Sequence, residues 1–287
     1  MQKNYKELLP KWFEEQKTHD LVLSDDIDSL LACAILSEVK QWKIRYFYDF
    51  AHIYASKKLS DEYKETKSIN DRVWVDVAVL NGEKAFDNHV SLVSLNDYRN
   101  EQMINPNQFS WITRENYEDK YSGSTALMLW SLYDLPLPKT EKGKMLLLSI
   151  DTAFKGHYMG RQFEQPNTHF IGDVFGFGEL VDLMNRKPKK DFYNLIGRYG
   201  LNQKLKWKDG QIVNRLDIKS IGELLDIDLD IIENDVFRKW KDLDICKADI
   251  WDWFTDRDDI DKDIFTMAFP FKSKAIYSRL RQTGEEK

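Results

Sequence analysis

The chain has 287 residues, 42% of them hydrophobic, 13% aromatic and 31% charged, which supplies enough apolar surface for a packed core and excludes a wholly disordered polymer. With 42 Lys and Arg against 48 Asp and Glu, the net charge is −6, so the chain as a whole is no polycation built to coat nucleic acid, and a phosphate-bearing ligand must be met by a local patch or by metal ions. No run approaches the roughly 18 apolar residues that span a bilayer, and the charged opening residues lack a signal-peptide stretch. Cys33 and Cys246 are too few for a disulfide scaffold, and both fall in segments that read as helix; a reducing cytoplasm is the expected location.

Residues 1–18 read as one amphipathic helix with Tyr5, Leu8, Leu9, Trp12 and Phe13 on one face. Leu21-Val22-Leu23 has the length of a buried strand, ends at Ser24-Asp25-Asp26-Ile27-Asp28-Ser29, and is followed by a helical stretch, Leu30 to Lys40. Lys43 to Tyr48 and Val73-Trp74-Val75 read as further strands, the latter stopping at Asp76. Ala85-Phe86 leads into Asp87-Asn88-His89. Ser124 to Tyr133 and Lys142 to Ile150 read as helices, the second running into Asp151. The alternation predicts an α/β fold with a mainly parallel sheet flanked by helices.

Asp25, Asp26 and Asp28 lie at the carboxyl end of the first expected strand, where open α/β sheets bind ligands. Taken alone, such an acidic turn is also the solvated start of a helix, favoured by the helix dipole. What distinguishes this chain is recurrence. Asp76 ends a second apolar strand, Asp87 and His89 follow a third, and Asp151 ends a leucine-rich helix. Parallel strand ends lie side by side, so these acids can converge, and bound cations would relieve their repulsion.

Ser24-Asp25-Asp26-Ile27-Asp28-Ser29 resembles the first motif of the DHH phosphoesterases, H-x-D-x-D-G, a superfamily that includes RecJ-like exonucleases and nano-RNases. Asp76 after Val73-Trp74-Val75 resembles the second motif, and Asp87-Asn88-His89 the D-H-H signature with one substitution. Gly123-Ser124-Thr125-Ala126 is similar to the serine/threonine-rich helix start that follows the signature. Leu147 to Phe154, with Asp151-Thr152-Ala153-Phe154, resembles the fourth motif. The resemblance spans residues 20–155. It implies a phosphoesterase in which two metal ions, commonly manganese, activate a water to attack phosphorus. Carried over by position, Asp26 would bind one ion and Asp28 the other, Asp76 would bridge them, and Asp151 would complete the coordination of the second ion. His89 would contact the phosphate or pass a proton, and Asp87 would orient its neighbours.

Two positions depart from the pattern. Ser24 replaces the motif-one histidine, and Asn88 replaces a metal-ligating histidine. Oxygen donors in place of imidazoles move preference from Mn2+ toward Mg2+, and leave open a site with two ions, with one, or with none. His19, His52 and His157 are candidates to supply the missing imidazoles, each with an ordinary packing role as the alternative. The haloacid-dehalogenase phosphatases share a strand followed by D-x-D, but Leu30 stands where they need Thr or Ser.

The expected layout is a DHH-like domain over 1–185, a basic linker over 186–215, and a smaller C-terminal α/β or α-rich substrate-binding domain over 216–287. The linker interleaves Tyr193, Tyr199 and Trp207 with lysines and arginines, a composition suited to holding a strand of nucleic acid or to a solvated face. By the resemblance, Lys272, Lys274, Arg279 and Arg281 would reach over the cleft and bind substrate phosphate. Trp240, Trp251, Trp253 and Phe254, at helical spacing, read as core. The acids Asp256 to Asp261 lack the glycine and glutamate of a calcium loop and read as a solvated turn. Two functions follow from the whole. One is hydrolysis of a phosphodiester in single-stranded nucleic acid or a small nucleotide. The other is a catalytically degenerate protein that binds nucleic acid, nucleotide or a protein partner. No membrane partner is expected.

Overall fold

The computed structural model describes residues 1–66, 71–232 and 235–281. Its strands are β1 (Asp20–Leu23), β2 (Lys43–Tyr48), β3 (His52–Ser56), β4 (Arg72–Val75), β5 (Lys84–Phe86), β6 (Met103–Ile104), β7 (Lys206–Lys208), β8 (Gln211–Val213), β9 (Phe237–Asp249), β10 (Thr266–Phe271) and β11 (Lys274–Leu280). β7 and β8 form a separate hairpin. The others make one nine-stranded sheet in the order β10-β11-β9-β3-β2-β1-β4-β5-β6.

The fold is α/β, as the sequence predicts, but the sheet is mixed. β2, β1, β4, β5 and β6 run parallel, whereas β3, β9, β11 and β10 add antiparallel neighbours beyond β2. Side chains along the parallel strands alternate between two cores, with period two. Leu21, Leu23, Val73 and Val75 join the larger core, and Val22 and Trp74 the smaller one on the opposite face. The helix Ile27–Lys40 is buried from Ile27 through Leu36 and ends at Gln41 in the left-handed conformation. It packs against β1 and β4 and against the helix Thr125–Leu132, which is apolar nearly all round and fully buried in the same core.

Three expectations are corrected. Residues 1–18 form only a short helix, Lys3–Lys6, and a 3-10 turn, Lys11–Phe13; Pro10 stands between them and cannot donate the backbone bond that a continuous helix needs. Leu9, Trp12 and Phe13 are nevertheless buried, while Leu8 is exposed. Cys246 lies on β9, not in a helix. Trp251 and Trp253 are 60% and 67% exposed and Trp240 is also exposed, so of that aromatic group only Phe254 is core.

Segment 186–215 holds the helix Lys189–Tyr199 and the β7–β8 hairpin. Phe192, Leu195, Tyr199 and Leu205 pack into the larger core together with β1. Among the described residues, 216–281 contribute one α-helix, Ile218–Leu225, a 3-10 turn, Arg257–Asp259, and the strands β9 to β11 of the common sheet. Positions 233–234 and 282–287 of the expected C-terminal unit lie outside the described residues.

The sheet curls so that its edge strand β10 returns to the loops leaving β4 and β5. Met267 donates its N–H to Ala78, Leu80 to Phe265, and Phe269 to Val90, at 3.1, 2.9 and 2.9 Å. The antiparallel half is thereby brought against the carboxyl ends of the parallel half.

Candidate metal centre

Register brings the acids together. Leu23 pairs with Val75, and Val75 with Phe86, so the residues that follow β1, β4 and β5 emerge side by side at one rim. Asp76 and Asp87 each extend the ladder by one backbone bond, from Asp76 N to Phe86 O and from Asp87 N to Ile104 O. Asp76 then turns with φ 61°, a left-handed conformation that aspartate tolerates better than most residues. The order β2-β1-β4 also makes this rim a switch point, because the chain leaves β1 to one side and later returns to the other.

Small polar side chains fix the strand ends. Ser29 Oγ accepts from Ser24 N and donates to Val75 O, each at 2.8 Å, which ties the acidic turn after β1 to the end of β4. Asp26 caps the helix by accepting from Ser29 N at 3.1 Å. Asp28 is buried, and its two oxygens accept from the N–H groups of Thr125 and Ala126, both at 2.8 Å, at the start of the helix Thr125–Leu132. Thr125 Oγ1 donates to Asp76 Oδ1 at 2.9 Å.

Asp87 is fully buried and positions His89. It accepts from His89 Nδ1 at 2.7 Å, from His89 N at 3.0 Å and from Asn105 Nδ2 at 2.7 Å. With Nδ1–H committed to Asp87, Nε2 is the free edge of the imidazole. Asn88 donates its amide to Gly123 O, while its buried Oδ1 has no hydrogen-bond partner. Ligating atoms of Asp76, Asp87 and His89 lie within 4.8 Å of one another. A hard divalent cation fits this donor set, which is rich in carboxylate oxygen with one imidazole and an unsatisfied amide oxygen at its border.

The charges interact strongly. Burial, then the charges of Asp76, Asp151 and Asp26, push the Asp28 carboxyl well above its ordinary range. Burial and the neighbouring Asp26 do the same to Asp76, partly opposed by His89. Asp151 rises to about 6 through desolvation and Asp26, although part of it faces solvent. Desolvation alone would lower His89; the carboxylates of Asp87, Asp76 and Asp151 outweigh it and raise the imidazole to about 10. Asp26, Asp28, Asp76 and Asp151 therefore form one electrostatic cluster, together with Asp87 and His89.

Three cations were placed differently from expectation or were not foreseen. Lys204, from the basic segment, contacts Asp25 at 2.8 Å and Asp26 at 3.2 Å. Lys120 is lowered to about 8 by burial despite the charge of Asp151, and its Nζ donates to Tyr117 Oη at 2.7 Å. Tyr117 Oη in turn bonds the carbonyls of Phe269 and Pro270 at 2.9 Å, which anchors Lys120 between Asp151 and β10. Lys155 is close enough to repel it.

The four basic residues expected to bind phosphate lie elsewhere. Lys272 is 3.5 Å from Glu118, Arg279 is 3.2 Å from Asp261, Arg281 is 2.6 Å from Asp244, and Lys274 opens β11 at the surface. Arg279 and Arg281 line a cavity with Asp244 and Asp263, apart from the acid cluster. His19 packs edge-on against Trp42, His52 faces Asp49 and Asp242, and His157 lies against Tyr158. Tyr199 is buried, whereas Tyr193 and Trp207 are both exposed, Trp207 while stacking on Tyr54 with ring centroids 4.9 Å apart.

Ser29 and Thr125 lie inside motifs quoted from the sequence, and a hydroxyl one residue past an acid or at a helix start is the signal that could have marked them. Lys120 and Lys204 carry no such local signal. No protein-family model matches the chain, and no curated protein matches it.

Proposed function

We propose that the chain is a metal-dependent phosphoesterase that hydrolyses a phosphodiester in single-stranded nucleic acid or a small nucleotide. The observation that carries this reading is the 4.8 Å grouping of Asp76, Asp87 and His89 at a switch point of the parallel strands, inside a wider cluster with Asp26, Asp28 and Asp151. Asp76, Asp87 and His89 would hold a Mn2+ or Mg2+ ion, with Asn88 Oδ1 and Asp151 as further donors toward a second. A bound divalent cation supplies Lewis-acid chemistry, drawing charge from the phosphoryl oxygens.

The chain's own groups supply the rest. Thr125 and the helix N-terminus hold Asp28 and Asp76 in register. Asp87 orients His89, whose Nε2 can donate a proton to a leaving oxygen whenever it is protonated and not ligating. Lys120 offers positive charge to a substrate phosphate beside Asp151. The expected division remains part of the proposal, with 1–185 carrying the chemistry, 186–215 contributing Lys204, and 216–287 contributing the wall that faces it.

Lys204 favours a second reading. A lysine paired with Asp25 and Asp26 already compensates part of the acid cluster, and with Ser24 and Asn88 in place of imidazoles this suits a degenerate protein that binds nucleic acid, nucleotide or a protein partner. Metal analysis and hydrolysis of a labelled oligonucleotide, a cyclic dinucleotide and bis(4-nitrophenyl) phosphate separate the two. Turnover dependent on Mn2+ or Mg2+ and lost in Asp76→Asn supports the enzyme. Binding without turnover, unaffected by chelator, supports the alternative.

A further inference from the structure

A cavity of about 210 Å3 opens directly beside the acid cluster, with Asp76 and His89 on its wall. The rest of its lining comes from Phe50 in the turn between β2 and β3, from the loop after β4 and from β9 to β11, where Tyr277 adds a second ring. Val77, Ala78, Ile245, Met267 and Ile276 are apolar, and Ala268 and Ile276 face each other as a cross-strand pair of β10 and β11. Its hydroxyls are already engaged, since Thr266 and Ser278 bond each other at 2.7 Å and both approach Tyr48 Oη. No lysine or arginine is among the described residues that line it.

Such a lining suits one kind of ligand. Single-stranded nucleic acid is held by a cationic groove with stacking aromatics, one phosphate after another. This chamber has the rings of Phe50 and Tyr277 but, among the described residues that line it, no lysine or arginine for a second phosphate, and its volume is below the ~300–1,000 Å3 common for drug-sized ligands. Burying a charged or unpaired polar group there would be costly, whereas a compact ring would replace water against apolar walls.

We infer that this cavity receives the organic group of a small phosphoester carrying one compact, apolar, ring-sized substituent, and that the substrate is not a polynucleotide strand. The inference rests on the metal-dependent phosphoesterase chemistry above and goes beyond that reading in the substrate, a compact phosphomonoester in place of a nucleic-acid or nucleotide phosphodiester. In the reaction, the oxygen of water bonds to phosphorus, the bond from phosphorus to the ester oxygen breaks, and a proton ends on that oxygen, so that an apolar alcohol leaves into the cavity and phosphate remains at the rim.

Two measurements on the full chain test it. Binding of 1-naphthol, a neutral probe, is followed by its fluorescence in chelator, where no turnover occurs. Hydrolysis with Mn2+ or Mg2+ is compared for phenyl phosphate and 4-carboxyphenyl phosphate, which have similar leaving groups but differ by a buried charge. The expected result is saturable naphthol binding, together with kcat/KM at least about 10-fold higher for the phenyl ester. Both the binding and the selectivity should fall about 10-fold in Ala268→Trp and in Ile276→Trp, each checked for an unchanged melting profile. Hydrolysis of both esters with equal kcat/KM, or of an oligonucleotide faster than phenyl phosphate, overturns the inference while leaving the phosphoesterase reading in place. Absence of divalent-dependent hydrolysis of every ester overturns that reading and the inference with it.

Discussion

Thr125 donates its hydroxyl to Asp76, while its own N–H donates to Asp28, so one residue at a helix start holds acids from two separate strand ends. Removal of the hydroxyl in Thr125→Val leaves the backbone bond to Asp28 but frees Asp76. Outer-shell partners of metal ligands are typically worth 10–100-fold in affinity or activity. Divalent-ion affinity measured by calorimetry is therefore expected to fall by about that factor in Thr125→Val and to be largely retained in Thr125→Ser.

Asp76 is a buried carboxylate beside several others, and that repulsion gives its substitution two opposite effects. In Asp76→Asn, cation binding and hydrolysis should be lost. In chelator the same variant should melt above the wild type, because a buried charge has been neutralised. A melting point lowered in chelator would contradict that repulsion.

The acid cluster also sets a pH dependence. Asp28 and Asp76 have folded-state affinities for protons above the unfolded value of 3.8, so the folded chain binds more protons than the unfolded chain as pH rises past that value. Stability in chelator should accordingly be greatest on the acid side of this window and fall as pH rises through it. His89 acts in the same direction, since its contribution is full below about 6.5 and is lost as pH passes about 10. Thermal melts in EDTA should show this decline, and saturating Mg2+ or Mn2+ should flatten it. A metal-free profile that rises from pH 5 to pH 8 would refute the assignment.

Lys204 is the internal counter-charge for Asp25 and Asp26. Lys204→Met should destabilise the chelated protein by about 1–2 kcal/mol, reduced from the value for a fully buried pair because the lysine is half exposed. Divalent ions should recover most of that loss. Chemical denaturation with and without Mg2+ reads the difference directly.

Away from the rim, Arg257 and Asp97 form a buried ion pair at 3.0 Å, with the Arg257 guanidinium also 4.1 Å above the Tyr98 ring. Asp97 accepts from Val93 N and Tyr98 N as well, so its oxygens are fully used. Asp97→Ala strands a buried guanidinium and should cost about 3–5 kcal/mol in urea unfolding. The double change Asp97→Ala with Arg257→Leu should cost less than the sum of the two single changes.

The parallel half was legible where a strand is a short apolar run closely followed by an acid, and not at β6, two residues long and followed by Asn105. β1, β4 and β5 and the helix Ile27–Lys40 follow that pattern, and so the convergence of Asp26, Asp28 and Asp76 could be read from strand ends alone. β9 could not be read in this way. Its sequence Phe237 to Asp249 intersperses charges throughout, and most of its residues are exposed or half-buried, so neither face carries a clean apolar alternation. The same exposure misled the reading of Trp251 and Trp253, whose helical spacing was coincidental. Lys120 and Lys204 were hidden for a different reason. Their partners are 31 and 178–179 residues distant, and nothing in a local pattern marks a lysine for a contact made only by tertiary packing.

The bonds from Met267 and Phe269 to Ala78 and Val90 carry a consequence for how the molecule is made. Loops that present Asp76 and His89 are braced by a strand roughly 180 residues downstream, so those two side chains cannot be locked in place during synthesis until β10 has left the ribosome. An unfinished chain would carry its acids on unbraced loops, and any chemistry they perform would begin only after the last strands have docked.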